Sequence, residues 1–284
     1  GTKEADHIYS EGGNDIISAG RGNDYLYGGE GNDVLNGEQG NDYLYGGNGN
    51  DTINGNGGYD TLDGGCGSDT FVFSAGDGND IIEPTSNSLD NDIIKFTTEQ
   101  DLTYHKLPNN NDLIIKYNNG KDSITLKKYF EGNLSYPKTI INGKEQLNLE
   151  NQLKSNPIYV NGENNINGSA YSEIITGSDN NDVIRGNGGL DIINPQKGND
   201  VIYGSKDEQV IEFNTGSGND TVYIGSGKQT LKMIYDDNNG KTDFSYKKEN
   251  DDIVITKTKQ TSVITAPVYR DYNGNLTLSS ITNL

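Results

Sequence analysis

The chain of 284 residues has little of what ordinarily holds a globular core together. Its single cysteine, Cys66, sits between Gly65 and Gly67, which excludes a disulfide framework. Only 31% of its residues are hydrophobic, and no apolar run approaches the roughly 18 residues that a membrane helix needs. Lys and Arg number 22 against 42 Asp and Glu, a formal net charge of −20. That balance excludes nucleic acid, which requires Lys/Arg patches, and argues against anionic membrane surfaces. The two histidines, His7 and His105, lie in unlike surroundings, and neither a His-Glu-x-x-His nor a Gly-x-Ser-x-Gly motif occurs. No catalytic constellation is present, so the segment reads as non-enzymatic. Its start, Gly1-Thr2-Lys3-Glu4-Ala5-Asp6, is not a signal peptide. On composition alone the chain would be disordered.

What it has instead is glycine, 38 residues of it, and a strict period. Asp6, Asp15, Asp24, Asp33, Asp42, Asp51, Asp60 and Asp69 recur every nine residues. Two positions after each stands an apolar residue: Ile8, Ile17, Leu26, Leu35, Leu44, Ile53, Leu62 and Phe71. Each unit divides into a glycine-rich turn and a short remainder that alternates out, in, out, a minimal strand with its central residue inward. Glycine supplies the positive-φ geometry that tight loops need. Two units complete one turn of a coil, which stacks Leu26 over Leu44 and Asp24 over Asp42 at roughly 4.8 Å, the inter-strand spacing. The core of such a coil is thin against the entropy of ordering a glycine-rich chain. Its stacked carboxylates repel by roughly 3 kcal/mol per neighbouring pair at an effective dielectric near 20. A hard divalent cation reverses that balance, because calcium takes about six to eight oxygen ligands in forgiving geometry.

The best units, Gly28-Gly29-Glu30-Gly31-Asn32-Asp33-Val34-Leu35-Asn36 and Gly46-Gly47-Asn48-Gly49-Asn50-Asp51-Thr52-Ile53-Asn54, resemble the glycine- and aspartate-rich nonapeptide of RTX proteins. The resemblance implies an all-β fold of two right-handed parallel β-rolls, each followed by a small antiparallel β capping region. In that family the ion lies between loops two units apart. This pairs Asp15 with Asp33, Asp24 with Asp42, Asp33 with Asp51, Asp42 with Asp60 and Asp51 with Asp69, with a weaker end pair of Asp6 and Asp24. The implied metal ligands are Asp15, Asp24, Asp33, Asp42, Asp51, Asp60, Asp69, Asp80, Asp182, Asp191, Asp200 and Asp220, with the backbone carbonyls of Gly28, Gly29, Gly31, Gly46, Gly47 and Gly49. Carboxylate arithmetic gives about six Ca2+ ions in the first roll and two or three in the second.

The second roll is read from an internal duplication, in which 73–82 reappears as 213–222 at an offset of 140. Working back recovers degenerate units at Glu173, Asp182, Asp191, Asp200 and Gln209, with inward candidates Ile175, Ile184, Ile193, Ile202 and Ile211. Gln209 cannot neutralise calcium. The duplication continues, with 101–106 answered by 243–248, 111–115 by 251–255 and 123–126 by 262–265. These β-branched runs, separated by Asn119-Gly120 and Lys259-Gln260, read as hairpins that cap each roll and cover its open strand edges. The expected division is a first roll over 1–83, a flanking antiparallel domain over 84–150, a connector over 151–167, a shorter second roll over 168–224 and a C-terminal β cap over 225–284.

Tyr9, Tyr27 and Tyr45 are spaced by 18, as are Tyr25 and Tyr43, so tyrosines should form outward columns that either stack across strands or offer a glycan or receptor surface. The stretch 271–275 superficially resembles an EF-hand start and reads as a turn, since the bidentate Glu is missing. The uncharged tail 275–284 fits both a last capping strand and the uncleaved C-terminal signal of type I secretion that the family uses. Because Gly1 already falls in repeat register, the chain reads as a fragment of something longer. The resemblance implies a bacterial, secreted protein, exported through the type I machinery and acting outside the cell or at a host-cell surface. A cytolysin-type toxin is the first choice of parent, with an RTX adhesin, protease or lipase as alternatives.

Overall fold

The computed structural model describes residues 1–84, 90–131, 135–214, 218, 220–223, 225–227, 229–233, 244–249, 252–257, 264–270, 276–278 and 282–283. They fall into two compact units, Gly1–His105 with Asn110–Asn156, and Lys106–Asn109 with Pro157–Leu284.

In the first unit the periodic segment winds through β1 (His7–Tyr9), β2 (Ile16–Arg21), β3 (Tyr25–Glu30), β4 (Val34–Gln39), β5 (Tyr43–Asn48), β6 (Thr52–Gly57), β7 (Thr61–Cys66), β8 (Thr70–Phe73), β9 (Asn79–Ile82) and β10 (Ile93–Phe96). Odd strands form one parallel sheet and even strands the other. The register is the one the period predicts, with Leu26 beside Leu44 and Leu35 beside Ile53. Ile17, Leu26, Leu35, Leu44, Ile53, Leu62 and Phe71 are all buried between the two sheets, and only Ile8, in the end turn, is half-exposed.

The strands are longer than the sequence suggests. Each of β2 to β7 runs six residues, because the chain stays extended through a second inward position. That position is Ala19, Gly28, Gly37, Gly46, Gly55 or Gly64. From Gly28 onward a Cβ there would run into the carboxylate five residues later in the same unit. Glycine is needed at this point for space, since these five residues are not left-handed.

The tyrosine columns form on the odd-strand face. Ring centroids lie 4.8 Å apart for His7 and Tyr25, 5.8 Å for Tyr25 and Tyr43, 5.9 Å for Tyr9 and Tyr27 and 4.8 Å for Tyr27 and Tyr45. The rings turn toward one another along each column, which is cross-strand stacking.

Each sheet of this roll is continued by one parallel strand and then by an antiparallel one. After β11 (Thr103–Lys106), β12 (Leu113–Tyr117) and β13 (Asp122–Leu126) make the expected hairpin through a left-handed turn at Asn118, Asn119 and Gly120. β13 lies parallel to β9. On the other sheet β14 (Thr139–Asn142) lies parallel to β10, and β15 (Glu145–Asn148) closes it. Phe73, Phe96 and Tyr117 pack ring against ring beneath this cap, with centroids 5.1–6.3 Å apart. A short helix α1 (Leu149–Ser155) follows, N-capped by Asn148 and burying Leu149 and Leu153.

The second unit holds another two-sheet roll. β16 (Ile158–Asn161), β18 (Glu173–Thr176), β20 (Asp191–Asn194), β22 (Gln209–Phe213) and β24 (Gln229–Met233) form one parallel series, and β17 (Asn165–Asn167), β19 (Val183–Arg185), β21 (Val201–Tyr203) and β23 (Thr221–Tyr223) the other. Ile175, Ile184, Ile193, Ile202 and Ile211 are fully buried, as their spacing predicts.

Two expectations need correction here. Residues 151–167 are not a connector, because they contain most of α1 and the first two strands of the second roll. Val160 and Ile166 supply the buried apolar positions there without the glycine loops that mark the repeat. The hairpin expected across Lys259-Gln260 is replaced by one between β25 (Phe244–Glu249) and β26 (Asp252–Lys257), whose connection is only two residues long. β27 (Ile264–Arg270) instead pairs antiparallel with β24 and carries β28 (Leu276–Leu278) and β29 (Thr282–Asn283). The tail 275–284 thus contributes capping strands at those two segments, while its other residues, Lys259, Gln260 and the turn at 271–275 lie outside the described residues. Among the described residues no helix is long and apolar enough to cross a membrane.

Candidate metal centre

The repeat delivers one carboxylate per unit to the same place in every turn, just ahead of the strand and folded back under it. One oxygen of each is held by the turn before. The N–H of Asp15 donates to Oδ1 of Asp33 (2.8 Å), that of Asp24 to Asp42 (2.8 Å), that of Asp33 to Asp51 (2.7 Å), that of Asp42 to Asp60 (2.8 Å) and that of Asp51 to Asp69 (2.8 Å). The sequence pairs are therefore the pairs that the coil brings together. The asparagines that precede Asp15, Asp24, Asp33, Asp42 and Asp51 run a second ladder in the opposite sense: Oδ1 of Asn14, Asn23 and Asn32 accepts from the N–H of Asn32, Asn41 and Asn50. Sequence reasoning missed this role, although the Asn-Asp step recurs in the best units.

The other oxygen has no partner. Oδ2 of Asp15, Asp24, Asp33, Asp42, Asp51, Asp60 and Asp69 is buried and receives no hydrogen bond. From Asp24 onward these residues are at most 3% exposed. An ionised carboxylate buried with one oxygen unsatisfied is costly, by several kcal/mol per ion. Burial accordingly pushes the Asp60 and Asp69 carboxyls up to about 7 and raises Asp42 and Asp51, against the lowering effect of the main-chain bond from the previous turn and with a further rise from neighbouring carboxylates.

Other oxygens point into the same spaces. A Cβ at Gly28 would meet both Oδ2 of Asp33 and the carbonyl of Gly46, one at Gly37 both Oδ2 of Asp42 and the carbonyl of Gly55, and one at Gly46 both Oδ2 of Asp51 and the carbonyl of Gly64. Of the carbonyls singled out from sequence, Gly46 is thus at a carboxylate. The carbonyl of Gly28 accepts from Ser10 Oγ, and those of Gly29, Gly31, Gly47 and Gly49 face the α-carbons of Gly47, Gly49, Gly65 and Gly67 in the next turn. Among the described residues no three His, Cys, Asp or Glu side chains gather in a metal cluster. A cation here would take one or two carboxylates and complete its shell with carbonyls, the hard all-oxygen donor set that suits calcium.

The ladder runs past the last perfect unit. Asp60 N–H donates to Oδ1 of Asp80 (2.9 Å), and Asp69 N–H to Oδ1 of Asp92 (2.9 Å). Asp92, missed from the sequence, stands two residues before buried Ile94, the same Asp-x-apolar spacing as in the repeat. Burial pushes Asp80 up to about 8.

In the second roll the ladder persists, but two of its four buried acidic side chains, Asp182 and Asp191, have no orphaned oxygen. Glu173 N–H donates to Asp191 Oδ1 (3.1 Å), Asp182 N–H to Asp200 Oδ1 (2.7 Å) and Asp200 N–H to Asp220 Oδ1 (3.0 Å). Oδ2 of Asp182 accepts from Ser178, and Oδ2 of Asp191 from the Gln209 amide (3.0 Å). Among the described residues of this roll, Oδ2 of Asp200 and Oε2 of Glu173 are buried without a partner.

A family model, the RTX calcium-binding nonapeptide repeat, matches residues 1–26, 9–44, 27–62, 36–71, 45–82 and 167–202. Among solved structures the chain is similar to the solution structure of the AlgE6R3 subunit from the Azotobacter vinelandii mannuronan C5-epimerase, at 22% identity over 48% of this chain and 77% of that one, with a TM-score of 0.30. No curated protein matches the sequence. The matched segments coincide with the carboxylate ladders of both rolls, and over 1–82 and 167–202 the chain carries RTX nonapeptide repeats, which bind calcium.

Proposed function

We propose that the chain is the calcium-binding module of a secreted bacterial RTX protein, and that its first roll is folded by the ions it binds. The observation that carries this is the run of seven successive carboxylates, Asp15 to Asp69, each buried with Oδ2 unsatisfied. Such a row, when ionised, is stable only with a positive charge in every gap. The ligands would be Asp15, Asp24, Asp33, Asp42, Asp51, Asp60 and Asp69, continued by Asp80 and Asp92, with the carbonyls of Gly46, Gly55 and Gly64 facing them. One ion per stacked pair gives seven in this roll once the pairs made by Asp80 and Asp92 are counted.

Proteins with RTX repeats are typically secreted, and the family link is to type I export. A first roll without shape in the calcium-poor cytosol and ordered outside would favour outward passage and keep the chain from folding too early. The family resemblance favours a cytolysin-type toxin as parent, and an adhesin or a secreted enzyme would use the same module. The tyrosine rings pack on one another along each column, which supports a stabilising role over a glycan platform.

Far-UV circular dichroism with calorimetric calcium titration of the full chain tests the reading. Calcium added to the chelated protein should raise the β signal in step with binding heat, and magnesium should do so poorly, because it demands near-octahedral geometry and gives up water reluctantly. An identical β spectrum in chelator and in calcium would remove the basis for the proposal.

A further inference from the structure

Four loops of the molecule answer an oxygen of the side chain at the acidic position from their own main chain, and all four share one feature, although at Glu173 only Oε1 is answered and Oε2 stays orphaned. Four residues ahead stands a serine or threonine: Thr2 before Asp6, Ser169 before Glu173, Ser178 before Asp182 and Ser205 before Gln209. In each the main-chain N–H of that residue donates to the side chain, Thr2 to Asp6 Oδ2 (2.6 Å), Ser169 to Glu173 Oε1 (2.8 Å), Ser178 to Asp182 Oδ2 (2.7 Å) and Ser205 to Gln209 Oε1 (3.1 Å). The hydroxyls of Ser169 and Ser178 donate to the same oxygens.

The seven loops with orphaned carboxylates in the first roll are built differently. The residue four ahead of the Asp is left-handed in every one, with φ between 61° at Asn56 and 116° at Gly47. None of the three serines adopts that conformation. Left-handed backbone favours glycine and asparagine, which hold this position in five of the seven loops, with Glu11 and Glu38 in the other two. The loop's conformation decides whether the carboxylate is answered by its own main chain or left for a cation.

We propose that the second roll is held by serine hydroxyls, main-chain N–H groups and the Gln209 amide in place of cations, so that it folds without calcium while the first roll does not. The Gln209 amide completes this arrangement, since its Oε1 accepts from Ser205 and its Nε2 donates to Asp191 Oδ2 at the place where a stacked acidic partner would call for an ion. Two loops keep the first roll's left-handed backbone: Asn187 (φ 69°) and Gly189 (φ 87°) ahead of Asp191, whose Oδ2 the Gln209 amide answers, and Gln196 (φ 69°) and Gly198 (φ 128°) ahead of Asp200, whose Oδ2 is orphaned. The second roll therefore retains one cation site of the first roll's kind, at Asp200.

This deepens the calcium reading of the first roll and rests on it. Hydrogen exchange with mass spectrometry on the full chain, in chelator and in calcium, separates the two. In chelator, peptides over 173–213 should be protected and those over 16–73 should exchange freely, and calcium should protect both. Peptides over 173–213 that exchange freely in chelator and gain protection only with calcium would overturn the proposal while leaving the calcium reading intact. Protection of 16–73 in chelator would overturn the calcium reading, and with it the contrast between the rolls. In a second arm, Ser169→Gly with Ser178→Gly should lose protection over 173–203 in chelator and regain it in calcium. Unchanged protection of this variant in chelator would show that the serines do not hold the roll.

Discussion

Asp42 shows in one side chain how the module works. Its Oδ1 holds the N–H of Asp24 and its Oδ2 holds nothing, so the residue is half structural and half available to an ion. Asp42→Asn keeps an oxygen for the Asp24 N–H and removes the charge. The protein should still coil in calcium but with a higher calcium midpoint and fewer ions bound, read by calorimetry, and an unchanged stoichiometry would mean that Oδ2 is not a ligand. Gly46→Ala tests the space beside the carboxylate, because a methyl group there meets Asp51 Oδ2 and the Gly64 carbonyl, whereas at Gly57 the nearest atom is Glu38 O at 3.8 Å. Gly46→Ala should lose at least one ion and Gly57→Ala none. The raised carboxyls add a dependence on pH. Asp60 and Asp69 lie near 7 and Asp80 near 8 through burial, against an unfolded value of about 4, so the coil binds protons that the unfolded chain has released. In chelator their protonation stabilises the coil fully below about pH 4, and that stabilisation is lost as pH rises through 7 to 8. Circular dichroism in chelator should therefore show more β structure at acid pH than at neutrality, and the reverse trend would contradict this.

At the level of strands and loops, much of the first roll was legible. The period of nine fixed the inward column and the register of 18, because both follow from where Leu26, Leu44 and Leu62 must go. Leu44 is fully buried with Leu26 and Leu62 beside it, and Leu44→Ala in calcium should cost about 2–5 kcal/mol in urea unfolding. A loss under about 1 kcal/mol would show that the column closes over the gap. What escaped was whatever breaks the count. Asp92 follows Asp69 by 23 residues, so the longer connection hid it even though its Asp-x-Ile spacing survived. The start of the second roll escaped because Val160 and Ile166 keep the apolar column without the glycine and aspartate that identify a repeat. The serine four ahead of the acidic position was visible all along. Its meaning requires knowing that the glycine it replaces is left-handed.

For the molecule as a whole, the charge of −20 and the two loop designs point to a division of labour. The first unit concentrates unanswered carboxylates in successive turns, and the second answers Asp182 and Asp191 from its own groups. Calcium dependence should therefore be confined to one part of the chain. The most direct measurement is an NMR titration of the full chain with calcium, following the amides of Leu26, Leu44 and Leu62. The account predicts unfolded shifts for all three in chelator and dispersed β shifts once calcium saturates the protein. Dispersed shifts for these three amides in the absence of any divalent cation would contradict it.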